Sequence, residues 1–287
     1  RIELKQWTRE IERLLTTAEK LGALLASLGE AVDNQVLWQA WEPMLFNHAH
    51  DLMSGVMTDQ VWEDTRRGYE FSMRVAAEEL DARLRRLAAR IDTRGKGIPL
   101  IVFNALGWAR TDVVFATVGF AELEADGLEL TGPDGKAVPV QLLEVERADN
   151  GALLRAKVVF VARDIPPLGF AVYRVLPRRS GGNIPQSQAG NILENELCRV
   201  EVNLANGSIT RLVDKRGGCD VLGGPGNVVA MEEDHGDLWE PYHALNAGQF
   251  ITMKDRHPAP GPSAVQAGSA GAIARGPVFS EFAGAAG

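Results

Sequence analysis

Asp92-Thr93-Arg94-Gly95-Lys96-Gly97 is the stretch on which the fold turns. Two glycines among mixed charges mark a linker. Upstream of it the apolar residues recur at helical spacing. Downstream they fall in short β-rich runs separated by turn chemistry. The fold expected is α+β and multidomain: a three-helix bundle over residues 1–95, then an antiparallel all-β sandwich over 96–287 that is incomplete.

Outward toward the N-terminus, Leu4, Trp7, Ile11, Leu14, Ala18, Leu21, Leu25 and Leu28 repeat at three- and four-residue steps, with Glu3, Arg9, Glu12, Arg13 and Lys20 elsewhere. This spacing predicts an amphipathic helix stopped by Gly29. A second helix starts near Asp33, an N-cap residue type, and carries Val36, Leu37, Trp38, Trp41, Met44 and Leu45 before ending near Asn47. A third begins after Thr58, with Trp62, Tyr69, Met73, Ala76, Leu80, Leu84, Leu87 and Ile91 in register. Three amphipathic helices bury their stripes against one another, so these aromatic and Met residues are expected in a bundle core.

Outward toward the C-terminus, strand-like runs occur at Leu100–Phe103, Val113–Ala116, Val138–Val140, Ala156–Val161 and Phe170–Val175. Gly132-Pro133-Asp134-Gly135 is a turn signal between two of them. Residues 177–190, rich in Pro, Gly, Ser, Asn and Gln, read as a loop or linker. Strands resume at Leu197–Val202, with a tight turn at Asn206-Gly207. Such spacing suggests a sandwich.

The 287 residues carry 45% hydrophobic and 24% charged side chains, a globular balance, and a net charge of −8. An acidic chain repels phosphate backbones, so nucleic acid is not an expected partner. No apolar run approaches the roughly 20 residues that cross a bilayer, so no membrane is expected either. Cys198 and Cys219 make no Cys-x-x-Cys pair and are expected as separate free thiols. The start at Arg1 and the finish at Gly287 suggest an excised piece of something longer.

Chemistry concentrates in Asn47-His48-Ala49-His50-Asp51, closed by Gly55. On a continuous helix, residues two apart diverge by about 200° and cannot share a ligand. In an extended loop they face the same way. The preceding helix should be finishing here, so these residues are expected on a short interhelical loop at one end of the bundle, where rigid scaffolds present functional groups. Histidine with carboxylate suits zinc, but zinc takes about four ligands and this stretch holds two or three. Spacing leaves His48, His50 and Asp51 as equal candidates. The alternative is a solvated loop whose histidines cap helix ends.

Leu37-Trp38-Gln39-Ala40-Trp41-Glu42-Pro43-Met44-Leu45-Phe46, running into Asn47 to Gly55, resembles the middle helical domain of glycoside hydrolase family 38, the zinc α-mannosidases, in its bacterial type. Three further segments are similar to its C-terminal β domain: Val102-Phe103-Asn104-Ala105-Leu106-Gly107-Trp108; Glu194–Leu197 with Asn206–Ile209 and Val213–Arg216; and Glu233-Asp234-His235-Gly236-Asp237-Leu238-Trp239-Glu240. The resemblance implies a zinc ligand at His50 and a substrate-hydroxyl contact at Asp51. It gives His48 no ligand role. Asp237, Trp239 and Glu240 are implied near the sugar, on a spacing that departs from the usual one. It further implies retaining hydrolysis of α-mannosides or oligosaccharides, with two carboxylates about 5 Å apart, in mannose metabolism and glycan degradation. The nucleophile and the acid/base are expected on a separate N-terminal α/β domain, so no catalytic residue is expected in this chain, which alone should be inactive. A bacterial cytoplasmic location goes with the same resemblance. The competing class is a non-catalytic carbohydrate-binding or structural module, with Trp239 and Tyr242 as stacking aromatics.

Overall fold

The structure, a computed structural model, describes residues 2–121, 125–179, 186–188, 190–228, 230–231, 265–266 and 269–284. Helices occupy its N-terminal part and antiparallel sheets the remainder. Two compact units result: Arg1–Asp112 with Leu130–Ala137 and Ala162–Leu176, and Val113–Glu129 with Val138–Val161 and Pro177–Gly287.

In the first unit, α1 (Glu3–Ser27), α2 (Gln35–Phe46), the single-turn α3 (His50–Met53) and α4 (Asp59–Ala88) succeed one another. Each boundary has a local cause. Gly29 takes φ +83°, which ends α1 without a Cβ penalty. The Asp33 carboxylate accepts from Gln35 N at 2.8 Å just ahead of α2. The Thr58 hydroxyl accepts from Val61 N, capping α4.

Leu4, Ile11, Leu14, Leu15 and Ala18 of α1 pack on Leu37, Ala40 and Met44 of α2 and on Tyr69, Val75 and Ala76 of α4. The three long helices therefore form the predicted core. Thr8 meets Tyr69 and Ala18 meets Arg83, so α1 and α4 run parallel, and α2 returns along α4 from Asp33 beside Arg83 to Asn47 beside Thr65. At the C-terminal ends of α1 and α4 a smaller cluster of Leu21, Leu25 and Leu87 receives Phe103 and Ala105.

One expectation is corrected here. Helical spacing predicts Trp38 and Leu45 on the core face of the second helix, yet Trp38 is 59% and Leu45 46% exposed. The buried face of α2 is Leu37, Ala40 and Met44. Trp38 and Leu45 lie seven residues apart and so share another face of this 12-residue helix. Trp41, by contrast, is partly buried and donates its indole N–H to Glu19 on α1.

The strands of the β region are β1 (Ile98–Asn104), β2 (Arg110–Gly119), β3 (Gly127–Thr131), β4 (Ala137–Val138), β5 (Val140–Arg147), β6 (Leu153–Ile165) and β7 (Gly169–Arg178). They form sheets ordered β1-β7-β3-β4 and β2-β6-β5. β1 and β7 pair antiparallel from Ile98↔Val175 to Asn104↔Gly169. Asn104 is buried where β1 ends, donating to the carbonyls of Trp108 and Ile165 and accepting from Leu106 N. That bonding gives the Asn104–Trp108 segment a structural purpose.

In the second unit β5 and β6 pair through Val140↔Phe160 and Leu142↔Val158, four buried side chains. A short strand, β8 (Gln186–Gln188), lies within the stretch expected as a loop. β9 (Ile192–Glu194), β10 (Cys198–Val202), β11 (Ile209–Asp214) and β12 (Cys219–Asp220) form one further sheet in the order β12-β11-β10-β9. β13 (Ala230–Met231) pairs with β14 (Val265–Gln266), and β15 (Gly271–Arg275) lies between β16 (Ser280–Gly284) and β8. Gly207, at φ +73°, makes the turn into β11, as Asn206-Gly207 predicts. Cys198 and Cys219 are both free.

Candidate active-site segment of the helical bundle

α2 delivers the polar segment. Its C-cap is Asn47, with φ −75° and ψ 0°. The side chain is 5% exposed, and its Nδ2 donates to the Thr65 carbonyl of α4 at 3.3 Å. Facing it on α4 is Gly68, where an added Cβ would lie 2.7 Å from Nδ2. After the cap, His48 N donates to Leu45 O and Ala49 N to Phe46 O, so the helix unwinds through a turn.

Ala49 is extended, at φ −51° and ψ 134°, and α3 begins directly after it. This corrects the expected loop. His50 and Asp51 sit in the first turn of a one-turn helix, whose Leu52 and Met53 amides both donate to Ala49 O. The Ser54 hydroxyl donates to Asp51 O at 2.8 Å, and Gly55 leaves at φ +79°. A side chain with a Cβ is strained in that conformation, which explains Gly55.

α3 has a second attachment. Tyr69 OH donates to Met53 Sδ at 3.4 Å and is 2.9 Å from Thr8 Oγ1. Trp7 stacks on Trp62 at a centroid distance of 5.9 Å and meets Tyr69 at 6.0 Å. Burial raises the Tyr69 phenol above its ordinary pKa, against a smaller opposing effect of the Thr8 hydrogen bond. The phenol thus stays neutral and able to donate.

Between these attachments, His50 and Asp51 project into solvent. Their side chains are 96% and 88% exposed, with His50 Nε2 3.3 Å from Asp51 Oδ1. The pair is too exposed for this contact to contribute much stability. Imidazole plus carboxylate is a suitable partial donor set for zinc, and both groups are accessible. It is not a complete one: among the described residues no group of three or more His, Cys, Asp or Glu is placed to hold a metal ion. His48 is exposed in the turn before Ala49. Asp237, Trp239, Glu240 and Tyr242 lie outside the described residues.

Sequence patterns do not reveal the supports. Asn47 belongs to the motif but has no role there that spacing can assign, and nothing local connects it to Thr65, Gly68, Tyr69 or Met53. Gly68 is the one available signal. A glycine inside a 30-residue helix costs roughly 1 kcal/mol relative to Ala, so its presence asks for a close neighbour.

Residues 1–87 match the family model described as the alpha mannosidase middle domain, ending one residue short of the last residue of α4. Over the helical bundle the chain is thus similar to that domain. Two solved structures share the fold of this chain. An alpha-mannosidase from Enterococcus faecalis V583 is 22% identical, with a TM-score of 0.60 over 80% of this chain and 29% of that one. A glycosyl hydrolase family 38 protein from Enterococcus faecalis is 24% identical, with a TM-score of 0.63 over 80% of this chain and 30% of that one. The chain thus spans less than a third of either. No curated protein matches it. No described helix is long and apolar enough to cross a membrane.

Proposed function

We propose that this chain contributes part of the active site of a zinc-dependent, retaining α-mannosidase that acts on α-mannosides or mannose-bearing oligosaccharides. One observation carries it: an exposed His50–Asp51 pair is held at one end of a bundle whose sequence matches the α-mannosidase middle domain. His50 supplies one imidazole to the metal. Asp51, fixed beside it on the same helical turn, accepts hydrogen bonds from sugar hydroxyls. When bound, the zinc supplies a template and electrostatic stabilisation for the sugar's hydroxyl groups.

The remaining ligands, the nucleophile and the acid/base then belong to a further α/β domain. The small share of each related structure that this chain spans supports that division. The 287-residue chain, incubated with an aryl α-mannoside and zinc, should show no turnover, and calorimetry should show no tight stoichiometric zinc binding. One imidazole and one carboxylate lack the closed geometry that makes zinc sites strong. Clear turnover, or tight stoichiometric zinc on this chain alone, overturns the division.

A further inference from the structure

We propose that Asn47 is a positioning residue for the His50–Asp51 pair, and that Gly68 serves to admit it. Residues 48–51 are held by local turn hydrogen bonds alone and bury no side chain of their own. His48, Ala49, His50 and Asp51 are all exposed, and α3 contains no buried residue. A one-turn helix has little intrinsic stability, because nucleation fixes several dihedrals for few hydrogen bonds. The direction in which His50 and Asp51 point must therefore come from where the segment is attached. It is attached at Asn47 and at Met53.

The two attachments differ in kind. Met53 offers a soft, adaptable sulfur to the Tyr69 hydroxyl. Asn47 offers a directional donor in a buried site, three residues before His50. Both reach the same helix within about one turn, at Thr65 and Tyr69 of α4. Asn47 is suited to its place. An Asp of the same shape would set a carboxylate against the Thr65 carbonyl, and an Ala would leave a gap opposite Gly68. Conversely, Gly68→Ala would collide with the Asn47 amide, since the new Cβ would lie 2.7 Å from Nδ2.

The functional part of the proposal rests on reading His50 as a ligand, so the test has two arms. In the first, amide hydrogen exchange is measured on the chain itself for wild type, Asn47→Ala, Gly68→Ala and the double variant. Losing one buried hydrogen bond should speed exchange at residues 48–53 about ten-fold, with α1 and the rest of α4 unchanged. The double variant should match Asn47→Ala, because the methyl group introduced by Gly68→Ala then has no amide to meet. Unchanged protection at 48–53, additive effects, or a uniform loss across the bundle would each overturn it.

In the second arm, zinc affinity and kcat/KM are measured on the longer, complete protein. Asn47→Ala and Gly68→Ala should weaken zinc binding about ten- to a hundred-fold while circular dichroism still shows a folded protein. His50→Ala separates the two ideas. If His50→Ala removes zinc while both positioning variants behave as wild type, the positioning role alone fails. If His50→Ala leaves zinc and activity intact, His50 is not a ligand and Asn47 positions nothing catalytic, whatever the exchange data show.

Discussion

The two ends of the bundle use the same device for different purposes. At each, a helix glycine leaves room for a polar side chain from a neighbouring element. At the far end Gly22 of α1 admits Arg83 of α4, which is 2% exposed. Its guanidinium donates to Ala18 O at 2.7 Å and Asp33 O at 2.9 Å, with Glu79 at 3.5 Å. This ties α1, the start of α2 and α4 together beside the Leu21, Leu25 and Leu87 cluster. At the near end Gly68 admits Asn47, but the His48–Asp51 segment beyond it is left in water. A buried charge must have its donors satisfied to persist and is suited to a permanent tie. A neutral amide at the rim can fix a turn while leaving the neighbouring ionisable groups accessible.

Removing the far-end tie should have the largest effect on stability. Arg83→Ala strands two carbonyls and leaves a cavity, and should cost about 3 kcal/mol in denaturant unfolding. Gly22→Ala drives a Cβ into the guanidinium and should cost about 2 kcal/mol. If both variants unfold like wild type, the far end is not a tie and the comparison collapses.

Smaller effects should separate anchored from unanchored aromatics. Tyr69→Phe loses the hydroxyl that meets Thr8 and Met53, and should cost about 1 kcal/mol. Trp38→Ala removes a larger but mostly exposed ring, and should cost less than about 0.5 kcal/mol. The reverse order in chemical denaturation would mean that Trp38 packs against something.

The smallest effect lies at the connection leaving the bundle. The Arg94 side chain holds the Asp92 carboxyl down at about 2. A depressed carboxylate pKa contributes stability above its unfolded value, and that contribution is lost as pH falls through the folded value. Asp92→Asn should therefore melt slightly lower than wild type at neutral pH and converge with it near pH 2. The difference is small because the pair is exposed. A gap that widens on acidification would contradict the sign.

Much of this architecture is legible in the sequence because its causes are local. Helical periodicity, the Thr58 cap, the Gly29 stop and the Asn206-Gly207 turn act within a few residues. The illegible features depend on contacts distant in sequence. Periodicity marks Trp38 and Leu45 as apolar but cannot say that α2 buries only one face. Asn47 reaches Thr65, and Arg83 reaches Ala18, across spacings no motif encodes. Spacing cannot choose among His48, His50 and Asp51. The resemblance favours the latter two, and the fold sets both on a solvent-facing turn next to the bundle's near-end anchors. The proposed sugar contacts at Asp237, Trp239 and Glu240 lie outside the described residues.

The most direct test of the account is zinc content together with aryl α-mannoside hydrolysis in the complete protein carrying His50→Ala. Zinc should be lost and hydrolysis should fall by more than about 100-fold, because removing a ligand exceeds the loss seen for its supports. Circular dichroism should match wild type, since the His50 side chain is exposed and takes no part in the bundle core. A variant that keeps its zinc and its turnover would remove His50 from the site and contradict the proposed function.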